Sequence, residues 1–218
     1  MNHKIAVVGI GSTYPGAKNP KELWVNILSQ RRQFREMPEN RLPNSEYHDA
    51  QNATDKTYSR LAAVIDGYSF DWAKNRIPKS TYESTDIVHW LALDVATQAL
   101  LDGRYGKANI PKTKTGVIVG NSLTGEISRT HNMRIRWPFV KKTLRAAGLS
   151  QGLSPSFMDQ FESHMESIYK SVFPPVTEDS LAGWLSNTIA GRICNFYDLH
   201  GGGYVVDGAC SSSLLAVA

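Results

Sequence analysis

Cysteine and long apolar runs are scarce in this 218-residue sequence. The two cysteines, Cys194 and Cys210, are too few for the disulfide framework of a small secreted domain, and they lack the histidine spacing of a zinc site. No apolar run approaches the roughly 18 residues that cross a bilayer. The N-terminal segment MNHKIAVVGIG is typical of a first strand, not of a signal peptide. We therefore expect a cytoplasmic protein with no metal site and no membrane association.

Acidic residues are absent from one long stretch. None lies between Glu126 and Asp159, where six basic residues occur: Arg129, Arg134, Arg136, Lys141, Lys142 and Arg145. Elsewhere the acids outnumber the bases, so the net charge of +4 has a local origin. Such a stretch is most often a solvated helix face or a contact between subunits, and a docking surface for an acidic partner is the alternative. Nucleic acid is not expected, because aromatic residues are not interleaved as stacking platforms.

Apolar runs and helical periodicity alternate along the chain. The predicted strands are 4–10, 61–65, 115–120 and 203–207. The predicted helices begin at Asn19, at Thr85 or Asp86 and near residue 210, with a mostly helical region over 121–195 and a polar loop over 36–60. Alternating strands and helices indicate the α/β class, and the absence of a repeat or linker favours one domain.

The glycine-rich segment GIGSTYPG after the first predicted strand invites comparison with a dinucleotide-binding turn. Gly9 and Gly11 fit that pattern, but Tyr14 occupies the position of the third glycine, and Pro15 and Gly16 delay the helix. We therefore predict no nucleotide site, and we interpret the glycines as a tight exit from a strand.

The C-terminal stretch VVDGACSSSLLAVA joins the last predicted strand to a helix through small residues. Gly208 and Ala209 allow a tight turn, which places Cys210 at or just before the first helical turn. The free N–H groups there favour a thiolate and can stabilise an oxyanion. The turn is compatible with a nucleophile, but most free cysteines are small packed core residues, so the turn alone leaves both roles open. Cys194 lacks such a turn and is predicted to be a packed core thiol.

The helix that follows Cys210 has apolar residues at several angles around its axis. They predict a helix buried on nearly every side: Leu214, Leu215 and Val217.

The segment VDGACSSSLLAV resembles the active-site segment of β-ketoacyl synthase domains from polyketide and fatty acid synthases. IAVVGIGSTYPGAKNPKELWVNILSQRR, TGVIVGNSLTGE and LSNTIAGRICNFYDLHGGG are similar to other parts of that domain, in the right order along the whole chain. TDIVHWLALDVATQAL and FPPVTEDSLAGWLSNTIAGRICNFYDL most resemble iterative synthases of the enediyne kind. GGG at 201–203 replaces the common Gly-Pro-Ser, and Gly208 replaces the commoner threonine; both keep the turn tight.

The resemblance implies a thiolase-like fold, a layered αβαβα sandwich of which this chain is the N-terminal half. It implies that Cys210 accepts an acyl chain as a thioester, with its backbone N–H in the oxyanion hole. A malonyl unit on an acyl carrier protein then loses CO₂, and the resulting carbanion extends the chain. The implied substrates arrive on the phosphopantetheine of an acyl carrier protein, no cofactor is bound directly, and the intact enzyme is a homodimer.

Family members use two histidines for decarboxylation, and the resemblance places both beyond Ala218. We assign a surface or packing role, and no catalytic one, to each histidine of the chain: His3, His48, His89, His131, His164 and His200. Residues 1–218 are therefore expected to be the N-terminal part of a synthase domain, truncated within the active-site helix and inactive in condensation.

Two classes of alternative stay open. The first is a related condensing enzyme, either of a fatty acid synthase or a thiolase or chalcone-synthase-like enzyme that uses coenzyme A thioesters. The second is a non-catalytic half-domain in which residues 129–145 dock an acidic carrier protein. Cys210 argues against a chain-length factor, which keeps the fold and lacks the nucleophile.

Overall fold

The computed structural model describes residues 5–51, 53–123 and 125–218. Internal packing divides the chain into two compact units. Unit 1 comprises Met1–Phe70 and Leu91–Pro111, and unit 2 comprises Asp71–Trp90 and Lys112–Ala218. The assignment of one domain to residues 1–218 stays a prediction. Of the six histidines discussed above, His3 lies outside the described residues.

Unit 1 contains the first predicted helix, α1 (Pro20–Leu28). Its start follows from its first residues, because Asn19 Oδ1 accepts the N–H of Glu22 at 2.9 Å and Pro20 occupies the first turn. The other elements of unit 1 are β1 (Arg35–Glu36), α2 (Asn44–Tyr47), β2 (Leu61–Ala62) and most of α4 (Ile87–Asp102). Strands β1 and β2 pair antiparallel. The helix predicted from Asp86 and the strand predicted near 61 are thus confirmed, and the predicted polar loop contains one short helix.

The strand predicted at 4–10 is wrong for its described residues, 5–10, which form no strand. A β-branched run becomes a strand only when a neighbour satisfies its N–H and C=O groups. Here the N–H of Ile10 instead donates to Asp102 Oδ2 at 2.9 Å, and a Cβ built at Gly9 would overlap the carbonyl oxygen of Ala99 in α4. The glycines of this segment therefore serve close approach to a helix.

Unit 2 is rich in helices and contains a small parallel sheet. Its helices are α3 (Lys79–Glu83), the first turn of α4, α5 (Glu126–Ile135), α6 (Trp137–Ser150), α7 (Pro155–Ser171), α8 (Glu178–Trp184), α9 (Asn187–Tyr197) and α10 (Ser212–Leu215). Its strands are β3 (Val117–Gly120) and β4 (Gly203–Val206), and both were predicted from the sequence. They pair in parallel from Val117↔Gly203 to Gly120↔Val206, which brings their carboxyl ends together.

Helix α9 provides the centre of the unit 2 core. Its residues Ile189 and Ala190 are fully buried, and the helix packs against both strands. Asp198 ends it in the left-handed conformation, with φ of 58°. The chain then returns through three glycines into β4, so the core helix α9 and the strand before Cys210 form a continuous helix–turn–strand segment.

The acid-free basic stretch lies mainly on α5 and α6, and half of its side chains hold helices together. Arg145 Nε donates to Glu162 Oε1 of α7 at 2.6 Å, and Lys141 Nζ lies 3.6 Å from Glu162 Oε2. Glu162 is only 2% exposed, and its hydrogen bonds with Arg145 lower the pKa of its carboxyl group. Arg134 donates to the carbonyl oxygens of Lys170 and Phe173. Hydrogen bonds and ion pairs within unit 2 thus explain the presence of half of these basic residues.

Candidate active site

The segment around Cys210 has the predicted strand–turn–helix order. Strand β4 ends at Val206, a 3-10 turn covers Ala209–Ser211, and α10 begins at Ser212. Cys210 lies in the middle of this turn, immediately before the helix, and is exposed. The thiol is therefore presented to solvent at a bend.

Ala209, immediately before Cys210, has a left-handed backbone with φ of 51°. This conformation costs a residue with a Cβ about 1 kcal/mol. The N–H of Ala209 donates to Asp207 Oδ1 at 2.9 Å, and this hydrogen bond supports the strained turn. The hydrogen bonds from Ala209 and then from Ser122 lower the pKa of the Asp207 carboxyl group.

Two serine hydroxyls complete the turn. Ser122 Oγ donates to Asp207 Oδ1 at 2.9 Å and lies 3.1 Å from Ser212 Oγ. Ser212 Oγ donates to the carbonyl oxygen of Ala209 at 2.7 Å and accepts the N–H of Gly208 at 3.1 Å. Sequence reasoning missed Ser122 as a neighbour of the turn. Its position two residues after a predicted strand parallel to the last one was the available signal.

The end of β3 also shapes the site through close packing. A Cβ built at Gly120 would overlap the backbone carbonyl of Ser212. Glycine at this position therefore lets the first turn of α10 lie directly against the strand. Ser212 is correspondingly buried, with 6% of its surface exposed.

The prediction that the helix after Cys210 is buried is wrong. Leu214, Leu215 and Val217 are 74%, 50% and 83% exposed. An apolar sequence supplies the tendency to be buried, but burial needs a covering surface, and the described residues do not provide one over these side chains.

Cys194 occupies a different environment, inside α9. It is half-buried, its Sγ lies 3.8 Å from the carbonyl oxygen of Gly202, and a Cβ built at Gly203 would lie only 2.8 Å from that sulfur. Burial raises the pKa of the Cys194 thiol, which disfavours the nucleophilic thiolate. The packing agrees with the role predicted for Cys194.

One protein family matches almost the whole chain. The family model described as "Beta-ketoacyl synthase, N-terminal domain" matches residues 2–218. The chain belongs to the β-ketoacyl synthase family. The turn at Cys210 therefore lies within the part of the chain that matches the N-terminal domain of this family.

Curated relatives of this β-ketoacyl synthase chain are much longer proteins. A polyunsaturated fatty acid synthase polypeptide of Thraustochytrium sp. is 29% identical over 218 residues, which cover 100% of this chain and 8% of that protein. The polyketide synthase ThaG of Burkholderia thailandensis is 27% identical over 215 residues, 98% of this chain and 3% of the relative. The chain thus spans less than a tenth of these relatives.

Solved structures show that the fold is the thiolase-like fold of ketosynthases. The PfaC keto synthase–chain length factor superposes with a TM-score of 0.74 at 23% identity, over 97% of this chain and 22% of that one. An oxazolomycin ketosynthase domain from Streptomyces albus superposes with a TM-score of 0.68 at 24% identity, over 97% and 30%. The predicted fold class is confirmed.

The histidines within the described residues fall into surface and core groups. His89 is fully buried, and its Nδ1 accepts from Arg192 Nε at 3.4 Å, while the guanidinium of Arg192 lies 4.6 Å from the centre of the Trp90 ring. Burial, and then the charge of Arg192, lowers the pKa of His89 to about 4. His131 is also buried, and burial lowers its pKa. Both environments agree with packing roles.

Two kinds of feature are not found within residues 5–51, 53–123 and 125–218. No group of three or more histidine, cysteine, aspartate or glutamate side chains there could hold a metal ion. No helix in the same ranges has both the length and the apolar character needed to span a membrane.

Proposed function

We propose that Cys210 is the acyl-accepting nucleophile of a ketosynthase domain, of which this chain is the N-terminal part. The Cys210 thiolate attacks the carbonyl carbon of an acyl thioester and forms a tetrahedral oxyanion. The bond from that carbon to the carrier sulfur then breaks, the carrier thiolate leaves and takes up a proton, and the acyl group stays on Cys210. The backbone N–H of Cys210 stabilises the oxyanion.

The observation that supports this proposal is the presentation of Cys210. Its thiol is exposed in a tight turn after β4, within a chain whose match to the ketosynthase family covers residues 2–218. The other thiol, Cys194, is half-buried with a raised pKa. One cysteine thus has the access that acyl transfer requires.

The acyl donor is proposed to be a phosphopantetheine thioester on an acyl carrier protein. The relatives are named as polyketide and polyunsaturated fatty acid synthases. Within these classes, we propose an iterative synthase of the enediyne kind. In the intact protein, decarboxylation of a malonyl thioester would supply the carbanion that attacks acyl-Cys210. That protein is proposed to be a cytoplasmic homodimer with no cofactor bound directly.

We propose that the exposed side chains of the basic stretch contact an acidic carrier protein. Arg136 and Lys142 are exposed, whereas Arg134, Lys141 and Arg145 contact acceptors within unit 2. Opposite charges steer such encounters and make them sensitive to salt. Arg136 and Lys142 are therefore the residues to reverse first.

The test is acylation of the purified chain by an acyl pantetheine thioester, followed by mass spectrometry. We expect one acyl group on Cys210, no acylation in Cys210→Ala, and unchanged acylation in Cys194→Ala. Equal labelling of both cysteines would overturn the assignment. Carrier protein binding without acylation would favour the docking half-domain instead.

Chain extension is a separate prediction. Because the resemblance places the decarboxylating histidines beyond Ala218, we expect acyl-Cys210 to form without a condensation product when malonyl-carrier protein is added. Measurable extension by the purified 218-residue chain would contradict this expectation.

A further inference from the structure

The carbonyl oxygen of Ala209 is held by two hydroxyl groups in addition to the backbone N–H of Ser212. Ser212 Oγ donates to it at 2.7 Å, and Ser122 Oγ lies 3.2 Å from it. This carbonyl belongs to the same peptide unit as the N–H of Cys210. In a planar trans peptide the C=O and N–H bonds point in opposite directions, so whatever fixes the carbonyl also aims the N–H.

The two hydroxyls have distinct tasks. Each serine has a single proton to donate. Ser212 has its shortest acceptor in the Ala209 carbonyl, whereas Ser122 has its shortest in the ionised Asp207 carboxylate, which is the stronger acceptor. Ser212 therefore holds the peptide before Cys210, and Ser122 holds Asp207, which in turn accepts the N–H of Ala209 at 2.9 Å.

The loop that carries Ser122 is itself fixed beside the strands. The N–H of Asn121 donates to the carbonyl oxygen of Val206 at 3.1 Å, which extends the pairing of β3 and β4 by one hydrogen bond. Asn121 Nδ2 donates to Ser186 Oγ at 3.0 Å, immediately before α9. The residue before Ser122 is thus anchored by two hydrogen bonds, which place Ser122 beside Asp207.

We propose that Ser212 and Ser122 are positioning residues that aim the backbone N–H of Cys210. Ser212 holds the Ala209–Cys210 peptide directly, whereas Ser122 acts through Asp207 on the preceding Gly208–Ala209 peptide. This inference rests on the proposed acyl transfer to Cys210. It adds that the oxyanion donor is oriented by side chains from two places in the sequence, α10 and the loop after β3. Both serines are given a positioning role because their hydrogen bonds go to the Ala209 carbonyl oxygen and to Asp207.

The test compares two reactions of the same thiol in the full chain. Acylation by an acyl pantetheine thioester passes through an oxyanion and needs the aimed N–H. Alkylation by iodoacetamide forms no oxyanion and needs only an accessible thiolate. We expect Ser212→Ala to slow acylation of Cys210 about tenfold and Ser122→Ala about threefold, with alkylation within about twofold of the unmodified chain.

Two further variants and one stability measurement complete the design. Ser122→Thr keeps a hydroxyl and should restore acylation, and Ser213→Ala, an exposed serine of the same helix, should leave both reactions unchanged. Thermal unfolding of each variant shows whether the chain stays folded. If Ser212→Ala unfolds, the exposed Ser122 provides the test.

The outcomes separate this inference from the proposed function. Normal acylation in both serine variants would overturn the positioning role and leave Cys210 as the nucleophile. Acylation and alkylation that fall in equal proportion would also overturn it, because a general loss of structure would explain both. If the unmodified chain is alkylated but never acylated at Cys210, the proposed function fails and the positioning role fails with it.

Discussion

Cys194 precedes strand β4 and Cys210 follows it, and the two thiols have opposite surroundings. Cys194 lies inside α9, a helix that buries Ile189 and Ala190, and its sulfur packs against Gly203. Cys210 lies in a turn whose backbone is strained at Ala209 and supported by hydroxyl and carboxylate groups. The same side chain is thus a packing unit in one place and an accessible thiol in the other, and backbone context makes the difference.

Each cysteine segment also relies on a glycine of a neighbouring strand. A Cβ at Gly120 would meet the backbone of Ser212 below the turn, whereas a Cβ at Gly203 would meet the side-chain sulfur of Cys194 first. Backbone cannot move aside without distorting the turn, but a side chain can be shortened. This contrast leads to different predictions for the two sites.

The largest effect is expected from Gly120→Ala. The added methyl group should displace the first turn of α10, destabilise the chain by about 3 kcal/mol and abolish acylation of Cys210. Urea unfolding and mass spectrometry measure the two effects. Because the obstacle is backbone, no shortening of a nearby side chain should rescue the variant, and rescue by Ser212→Ala would show that the contact has been misjudged.

Low pH should destabilise the part of the fold around Cys194 through protonation of His89. The partner of His89 is Arg192, which lies two residues before Cys194. Burial lowers the pKa of His89 to about 4 in the folded chain, whereas an exposed histidine in the unfolded chain has a pKa of 6.5. The unfolded chain therefore binds the proton more readily. Stability is therefore full above pH 6.5 and falls as the pH drops towards 4, by up to about 3 kcal/mol.

Urea unfolding at a series of pH values tests this loss, with His89→Gln as the matched variant. The variant should flatten the pH dependence between 6.5 and 4 while the exposed His164→Gln leaves it unchanged. An unchanged slope in His89→Gln would contradict the role given to burial.

A smaller effect is expected from Gly203→Ala. Its methyl group would lie 2.8 Å from Cys194 Sγ, which should cost about 1–2 kcal/mol of overpacking. The double variant Gly203→Ala with Cys194→Ala removes the sulfur and should recover most of that loss. Additive losses in the double-mutant cycle would mean that the two positions are not in contact.

The smallest effect concerns the alkylation rate of Cys194. Burial raises the pKa of this thiol, so its alkylation should need a higher pH than that of an ordinary thiol and should stay slow. Peptide mapping after timed iodoacetamide treatment, in Cys210→Ala, reports this rate separately. A rate as fast as that of free cysteine would show that Cys194 is not packed.

Local signals predicted much of this molecule correctly. Asn19 and Pro20 begin α1 as expected, and Asp86 precedes α4, where its Oδ1 accepts the N–H of Val88 at 3.2 Å. Small residues before Cys210 predicted the turn that the structure shows. These features depend on hydrogen bonds between residues close in sequence, which is why a pattern of a few letters is enough to predict them.

The failures concern what lies next to a segment. Residues 5–10 have the composition of a strand but no strand partner among the described residues, and Leu214 and Val217 have the composition of a core but remain exposed. Pairing and burial depend on a second surface. Composition states a tendency for both and cannot supply that surface.

By itself the sequence determined the α/β alternation, the resemblance to ketosynthases and the turn that presents Cys210. Only the tertiary structure decided that Ser122 holds Asp207 and that Gly120 supports Ser212. Both contacts require β3 and β4 to run parallel with Gly120 opposite Val206, so that residues far apart in the chain emerge at the same edge. Turn formation is local and can be predicted from neighbouring letters, whereas the support of that turn depends on a long-range register that no single segment encodes.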